Sequence, residues 1–287
     1  MHYFVFYIVC NLAFIQCMRF SQIRGAAVPA VAAVNFVVAA LVSIGLVFST
    51  LAPSSVWHPL ALSLGIVNGL LYASHLLATL AAFRFIGIGV TMALTHTACV
   101  FPVIVAHLVW PEEESMSMCR WIAIGLVPLA VYCLRPLELG REKLTWKIEL
   151  LLLFLFFGVG VIFTVHKIAA AVVAPEMTRV YQMSIFSVAA IVMCTVVAIR
   201  RPCLQGLEIR FGVCAGLLNA LMCRATVISL SLLGAVFFYL CGPAILIVGN
   251  VVFGKMLWHE TMSIRQYVGV TLAIVIVLLT GSDRLFH

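Results

Sequence analysis

The sequence predicts an all-α integral membrane protein of ten transmembrane helices, arranged as two inverted five-helix repeats. Hydrophobic residues make up 64% of the 287 and charged residues only 9%, against roughly 45–50% and 25% in a soluble domain. Mean hydropathy is +1.20. Apolar stretches near the roughly 20 residues that a bilayer crossing needs follow one another with little polar sequence between them. Finally, short motifs recur in the same order in the two halves.

Breaking the chain at charged residues, Pro and Gly gives spans near 2–20, 26–50, 58–82, 86–110, 118–135, 148–172, 178–199, 208–230, 233–257 and 264–281. The N-terminal MHYFVFYIVCNLAF lacks the basic n-region and small-residue cleavage site of a removed signal, so it reads as a retained first span. The longest polar segment, Arg135 to Lys147, separates five spans from five. It divides the chain into a first repeat (1–136), a polar linker (137–147) and a second repeat (148–287).

Testing one half against the other yields three matches. GIVNGL (65–70) aligns with GLLNAL (216–221), pairing Asn68 with Asn219. ESMSMCRW (114–121) aligns with ETMSIRQY (260–267), and FIQCMRF (14–20) parallels IFTVHKI (162–168) more weakly. An odd number of spans per repeat makes the second copy enter the membrane in the opposite sense, which gives a pseudo-two-fold axis in the membrane plane. Ser117 and Ser263 are the expected N-caps of the fifth and tenth helices. Glu114 and Glu260 precede those N-termini, where the helix dipole favours negative charge.

Twelve of the 17 Lys and Arg fall in the loops after the odd-numbered spans, which places both termini outside by the positive-inside rule. These cations lie singly or in small groups beside apolar spans, so the net charge of +7 reads as orientation and not as a nucleic-acid surface. The ten Cys show no CxxC or other paired spacing, so neither a metal site nor a disulfide framework is expected.

The runs HLVWPEEESMSMCRWIAIGL and GNVVFGKMLWHETMSIRQYVGVTLAIVIVLL each join an apolar helix, a Glu-containing turn and a second apolar helix. In this, and in its 5+5 plan over the whole length, the chain resembles the EamA-like members of the drug/metabolite transporter superfamily, relatives of the sugar-phosphate and nucleotide-sugar carriers. The resemblance implies alternating access through a central cavity lined by the first, third and fourth helices of each half. It also implies cytoplasmic termini, opposite to the charge count.

Polar residues within the spans are the candidate substrate-binding groups. Arg224 lies inside the eighth span. Arginine at a helix centre costs about 2.5–3.5 kcal/mol on insertion scales, so it either meets an anionic substrate or snorkels to the interface. Asn68 and Asn219 serve either a cavity or interhelical hydrogen bonding, with Gly65 and Gly69 beside the first favouring close packing. Tyr72 and His75 share the Asn68 face. His96 lies six residues before Pro102, and Tyr239 four before Pro243. Pro at membrane depth frees a carbonyl and permits a bend.

All ten acidic residues lie at or near span ends. The first span holds only Asn11 and Gln16 where the small multidrug-resistance branch of the superfamily carries a membrane Glu. Carboxylate proton coupling is therefore not expected, which leaves facilitated transport, exchange, or coupling through His75 or His96. No HExxH, GxSxG, GxGxxG, Walker A or DxxD-type pair is present, so an enzyme and a bound cofactor are not expected. The expected function is secondary transport of a small polar or anionic metabolite in the plasma (inner) membrane, by a monomer or homodimer. The alternative is a scaffold or receptor that keeps the transporter fold without transporting.

Overall fold

The computed structural model describes residues 1–51, 56–109, 116–135, 146–201 and 205–281. Of residues 106, 227, 230–237, 239 and 240, only the backbone is described. The chain is all-α. Its helices are α1 (His2–Ile23), α2 (Val28–Phe48), α3 (Pro59–Phe85), α4 (Gly87–Thr97), α5 (Val100–Val109), α6 (Met118–Leu134), α7 (Trp146–Val172), α8 (Thr178–Arg200), α9 (Gly206–Trp258) and α10 (Ile264–Gly281). Among the described residues, nine segments are long and apolar enough to cross a membrane, and α6 is a shorter apolar helix of 17 residues. Most of the expected linker between the repeats, its residues 137–145, lies outside the described residues.

Two expected boundaries differ. The fourth span is not continuous, because α4 ends at Thr97 and α5 begins at Val100. Pro102 has no N–H to give the Ala98 carbonyl. That carbonyl instead accepts from Phe101 at 3.1 Å, and Ala98 and Cys99 likewise donate three residues back, to Thr95 and His96, both at 3.2 Å. These are the tighter i to i−3 bonds of a 3-10 turn. The eighth and ninth spans, expected as separate helices, form the single helix α9. Residues 227–240 contain no Pro and only Gly234 as a weak helix former, and one Gly costs only about 1 kcal/mol in a helix. Within α9, Gly206–Thr226 and Cys241–Trp258 are each apolar and long enough to cross.

The chain forms two compact units. One contains Val5–Leu80 and Val165–Val227; the other contains Met1–Phe4, Ala81–Thr164 and Ile228–His287. Each therefore draws on both sequence halves.

In the first unit α2 packs along α8. Ala32, Phe36, Ala39 and Ala40 of α2 are buried with Val180, Ile185, Phe186, Ala189 and Met193 of α8. Small residues at this seam let the backbones approach. The approach is reciprocal at the neighbouring helices. A Cβ on Gly65 of α3 would lie 2.8 Å from the Tyr181 carbonyl oxygen of α8, and one on Gly69 2.6 Å from that of Ile185. A Cβ on Gly216 of α9 would lie 2.7 Å from the Asn35 carbonyl oxygen of α2, and one on Gly212 3.1 Å from that of Val31. Glu208 ties two helix starts together, accepting from Ala27 N at 3.0 Å and Gln205 N at 2.9 Å.

In the second unit α6 packs along α10. Both expected N-caps form. Ser117 Oγ accepts from Arg120 N at 3.3 Å. Ser263 Oγ accepts from Gln266 N at 3.3 Å while Gln266 Oε1 accepts from Ser263 N at 2.9 Å, a reciprocal capping box. Arg265 donates to the Arg135 carbonyl at the end of α6 and lies 5.1 Å from the Tyr132 ring centroid.

Glu260 does something other than expected. Its carboxylate serves the N-terminus of α4 and not that of α10: Ile88 N donates to both oxygens at 2.9 Å and Gly89 N to Oε2 at 3.4 Å. Gly87 makes this possible twice over. Its φ of +78° suits only glycine, and a Cβ there would stand 2.6 Å from Glu260 Oε2. Glu114, the sequence counterpart of Glu260, lies outside the described residues. Glu260→Ala removes this cap and is expected to lower stability by about 1–2 kcal/mol. Glu260→Gln, which keeps one acceptor oxygen, should fall between it and the parent in a thermal unfolding series.

Candidate functional site

The first unit holds a chain of polar side chains drawn from three helices. Asn68 Nδ2 on α3 donates to Tyr181 Oη on α8 at 2.7 Å. Tyr181 Oη is 3.0 Å from Nδ1 of His166 on α7, whose Nε2 is 2.9 Å from Tyr72 Oη on α3. Both tyrosine rings meet the imidazole edge-on. Asn68 is fully buried and Tyr181 nearly so.

A neutral imidazole has one donor and one acceptor nitrogen, and a phenol can play either part. With Tyr181 donating to Nδ1, Nε2–H donates to Tyr72. With Tyr72 donating to Nε2, Nδ1–H donates to Tyr181. Both arrangements satisfy the ring, and passing from the first to the second moves a proton from Tyr181 to Nδ1 and one from Nε2 to Tyr72, with Tyr181 taking up and Tyr72 releasing one proton at the two ends. Asn68 Oδ1 is buried and has no hydrogen-bond partner among the described residues.

The repeat-matched Asn219 also bonds across helices, Nδ2 donating to Asn35 Oδ1 of α2 at 3.4 Å. Asn68 joins α3 to α8 and Asn219 joins α9 to α2, which is the interhelical role. His75, one turn beyond Tyr72, stands 3.4 Å from Thr79 Oγ1 through its Nδ1. His96 belongs to the second unit. It is buried at the broken end of α4, and neither ring nitrogen has a hydrogen-bond partner. The side chain of Tyr239 lies outside what is described. Among the described residues, no group of His, Cys, Asp and Glu could hold a metal ion.

Arg224 lines a cleft in the first unit together with Ser43, Leu46, Arg179, Gln182, Ala220 and Cys223. The cleft comprises about 310 Å³ of space, part of it open to the surroundings, and has room for no more than about one water. Arg179 and Arg224 are both half-buried. Glu176 lies three residues before Arg179, is exposed, and pairs with neither arginine.

Sequence reasoning missed His166, Tyr181, Asn35, Arg179 and Gln182. The signal for Arg179 and Gln182 was present in their spacing, because residues three apart share a helix face. His166 sits inside the matched run IFTVHKI and Tyr181 between Arg179 and Gln182, but nothing in either stretch says which helix each side chain meets.

No family model matches the chain. An uncharacterized protein of Haemophilus influenzae is 25% identical over 229 residues, covering 76% of this chain and 76% of its own length. A solved crystal structure matches with a TM-score of 0.60 at 13% identity, over 99% of this chain and 98% of the other. At that identity the likeness is one of fold alone.

Proposed function

We propose that this protein is a secondary transporter that moves a small polar or anionic metabolite by alternating access between two inverted five-helix repeats. The observation that carries this reading is the reciprocal packing in the first unit. The Gly65/Gly69 pair of α3 sits on α8, and the Gly212/Gly216 pair of α9 sits on α2. Exchange of partners between matched elements is what a pseudo-two-fold axis produces, and inverted repeats are the means by which many transporters reach two mirror-related states. The EamA-like resemblance of the sequence supports the same reading. The partners are the bilayer and a small solute, and the membrane is the plasma (inner) membrane.

In this reading Arg224 supplies charge complementarity, and the Asn68–Tyr181–His166–Tyr72 chain supplies hydrogen bonds and a route for a proton. The test is uptake of labelled metabolite pools by reconstituted vesicles. Arg224→Ala should reduce uptake at least about tenfold, the worth of one charge-assisted hydrogen bond. Arg24→Ala, whose guanidinium lies over Phe20 at 4.8 Å from the ring centroid, should leave it near the parent rate. Equal effects would sink the role given to Arg224. Cysteine labelling along the third, fourth, eighth and ninth spans separates transport from the scaffold alternative, which predicts no labelling in any condition.

A further inference from the structure

We infer that the cleft between the C-terminal end of α2, the N-terminal end of α8 and the first half of α9 is a binding site for a phosphate-type oxyanion, held by Arg179 and Arg224 with Gln182 and Ser43. Arg179 is the second residue of α8, Ser43 and Leu46 lie in the last turns of α2, and Arg224 reaches the same place from within α9. Both arginines line one cleft. Among the described residues neither has a hydrogen-bond or carboxylate partner, and none of the residues that line the cleft is acidic.

Two cations facing one small space repel each other, and each has left part of its water behind. Such a pair is stable in company of an anion. Each guanidinium offers a planar fork of donors that matches two oxygens. Two forks reaching in from different helices can each take an oxygen pair from a tetrahedral group, whereas a planar carboxylate has a single pair to give. The Gln182 amide and the Ser43 hydroxyl add uncharged donors. The N-terminal end of α8 adds a favourable dipole, and the Met177 cap position makes no side-chain bond there.

The space is too small for a whole metabolite, so the site takes one oxyanion group presented at its mouth. That group belongs either to a phospholipid headgroup or to a soluble phosphate. The binding does not depend on transport, and the proposal stands apart from the uptake experiments.

The experiment follows thermal unfolding of the full chain in neutral detergent and in nanodiscs. Inorganic phosphate, at matched ionic strength against chloride, should raise the melting temperature, because a ligand that binds only the folded state stabilises it. Acetate should do so much less. Arg179→Gln and Arg224→Gln should each weaken the phosphate effect by about 10- to 100-fold in apparent affinity, and Arg24→Gln should not. Without phosphate each of the two variants should unfold no earlier than the parent, since a repelling charge has been removed; a structural role for either arginine predicts earlier unfolding.

Nanodiscs decide the source. Stabilisation by phosphatidylglycerol over phosphatidylcholine, lost in Arg179→Gln, identifies a lipid headgroup. Stabilisation by phosphate in phosphatidylcholine discs identifies the soluble anion. A phosphate effect of equal size in the parent and in the Arg179→Gln/Arg224→Gln double variant, an equal effect of acetate, or no effect of phosphate or of phosphatidylglycerol overturns the proposal.

Discussion

A methyl group added at Gly65 or at Gly216 is expected to destabilise the protein by about 1–3 kcal/mol in each case, the usual cost of overpacking. The space each Cβ would need is taken by a backbone oxygen of the facing helix, 2.8 Å away at Gly65 and 2.7 Å away at Gly216. A side chain could turn aside; a carbonyl held in a helix cannot, so the helices themselves must separate. Gly45 and Gly125 are the controls, since nothing lies within 4 Å of a Cβ at either. There alanine should stabilise by about 0.5–1 kcal/mol through helix propensity. Reversible unfolding in mixed detergent reads all four. If Gly65→Ala and Gly216→Ala behaved like Gly45→Ala, the close approach would be wrong. If only one were costly, the reciprocity that supports the repeat would be lost.

The helices were legible because the bilayer demands long apolar runs, and polar punctuation marks where each must end. The edges of α2, α8 and α10 fall within a few residues of the expected spans. What failed was punctuation inside apolar sequence. Pro102 was noticed as a bend, yet the break it causes falls three to four residues earlier, because the missing N–H is felt at the carbonyl of Ala98. The break expected at residues 231–232, between the eighth and ninth spans, is absent, because neither Ser231 nor Leu232 stops a helix.

The candidate site was half legible. Repeat matching singled out Asn68 and Asn219, and both proved buried and bonded across helices. Their partners could not be read in advance, since Tyr181 is 113 residues from Asn68 and Asn35 is 184 from Asn219. A polar side chain in a membrane helix does not announce its partner on another helix, and only packing tells which polar groups meet. Glu260 makes the same point. The helix dipole argument put its carboxylate at a helix N-terminus correctly, but the nearest N-terminus in sequence was not the nearest in space.

The polar chain in the first unit makes the second large prediction. Tyr181→Phe keeps the ring and removes the one hydroxyl that both Asn68 and His166 use. Asn68 Nδ2 and His166 Nδ1 then lose partners in a buried setting, at about 1–3 kcal/mol for each group left unsatisfied. Among the described residues Tyr72→Phe removes one hydrogen bond, to His166 Nε2, against the two that Tyr181→Phe removes, and should cost less. The two losses should not add. With Tyr72 alone remaining, the imidazole keeps whichever tautomer that hydroxyl can serve; with both gone it has neither donor nor acceptor beside it. A double-mutant cycle should therefore show coupling of about 0.5–3 kcal/mol, the range for residues sharing one network. Additive losses would mean that the tyrosines act separately on His166, and the chain could not then pass a proton from one arrangement to the other.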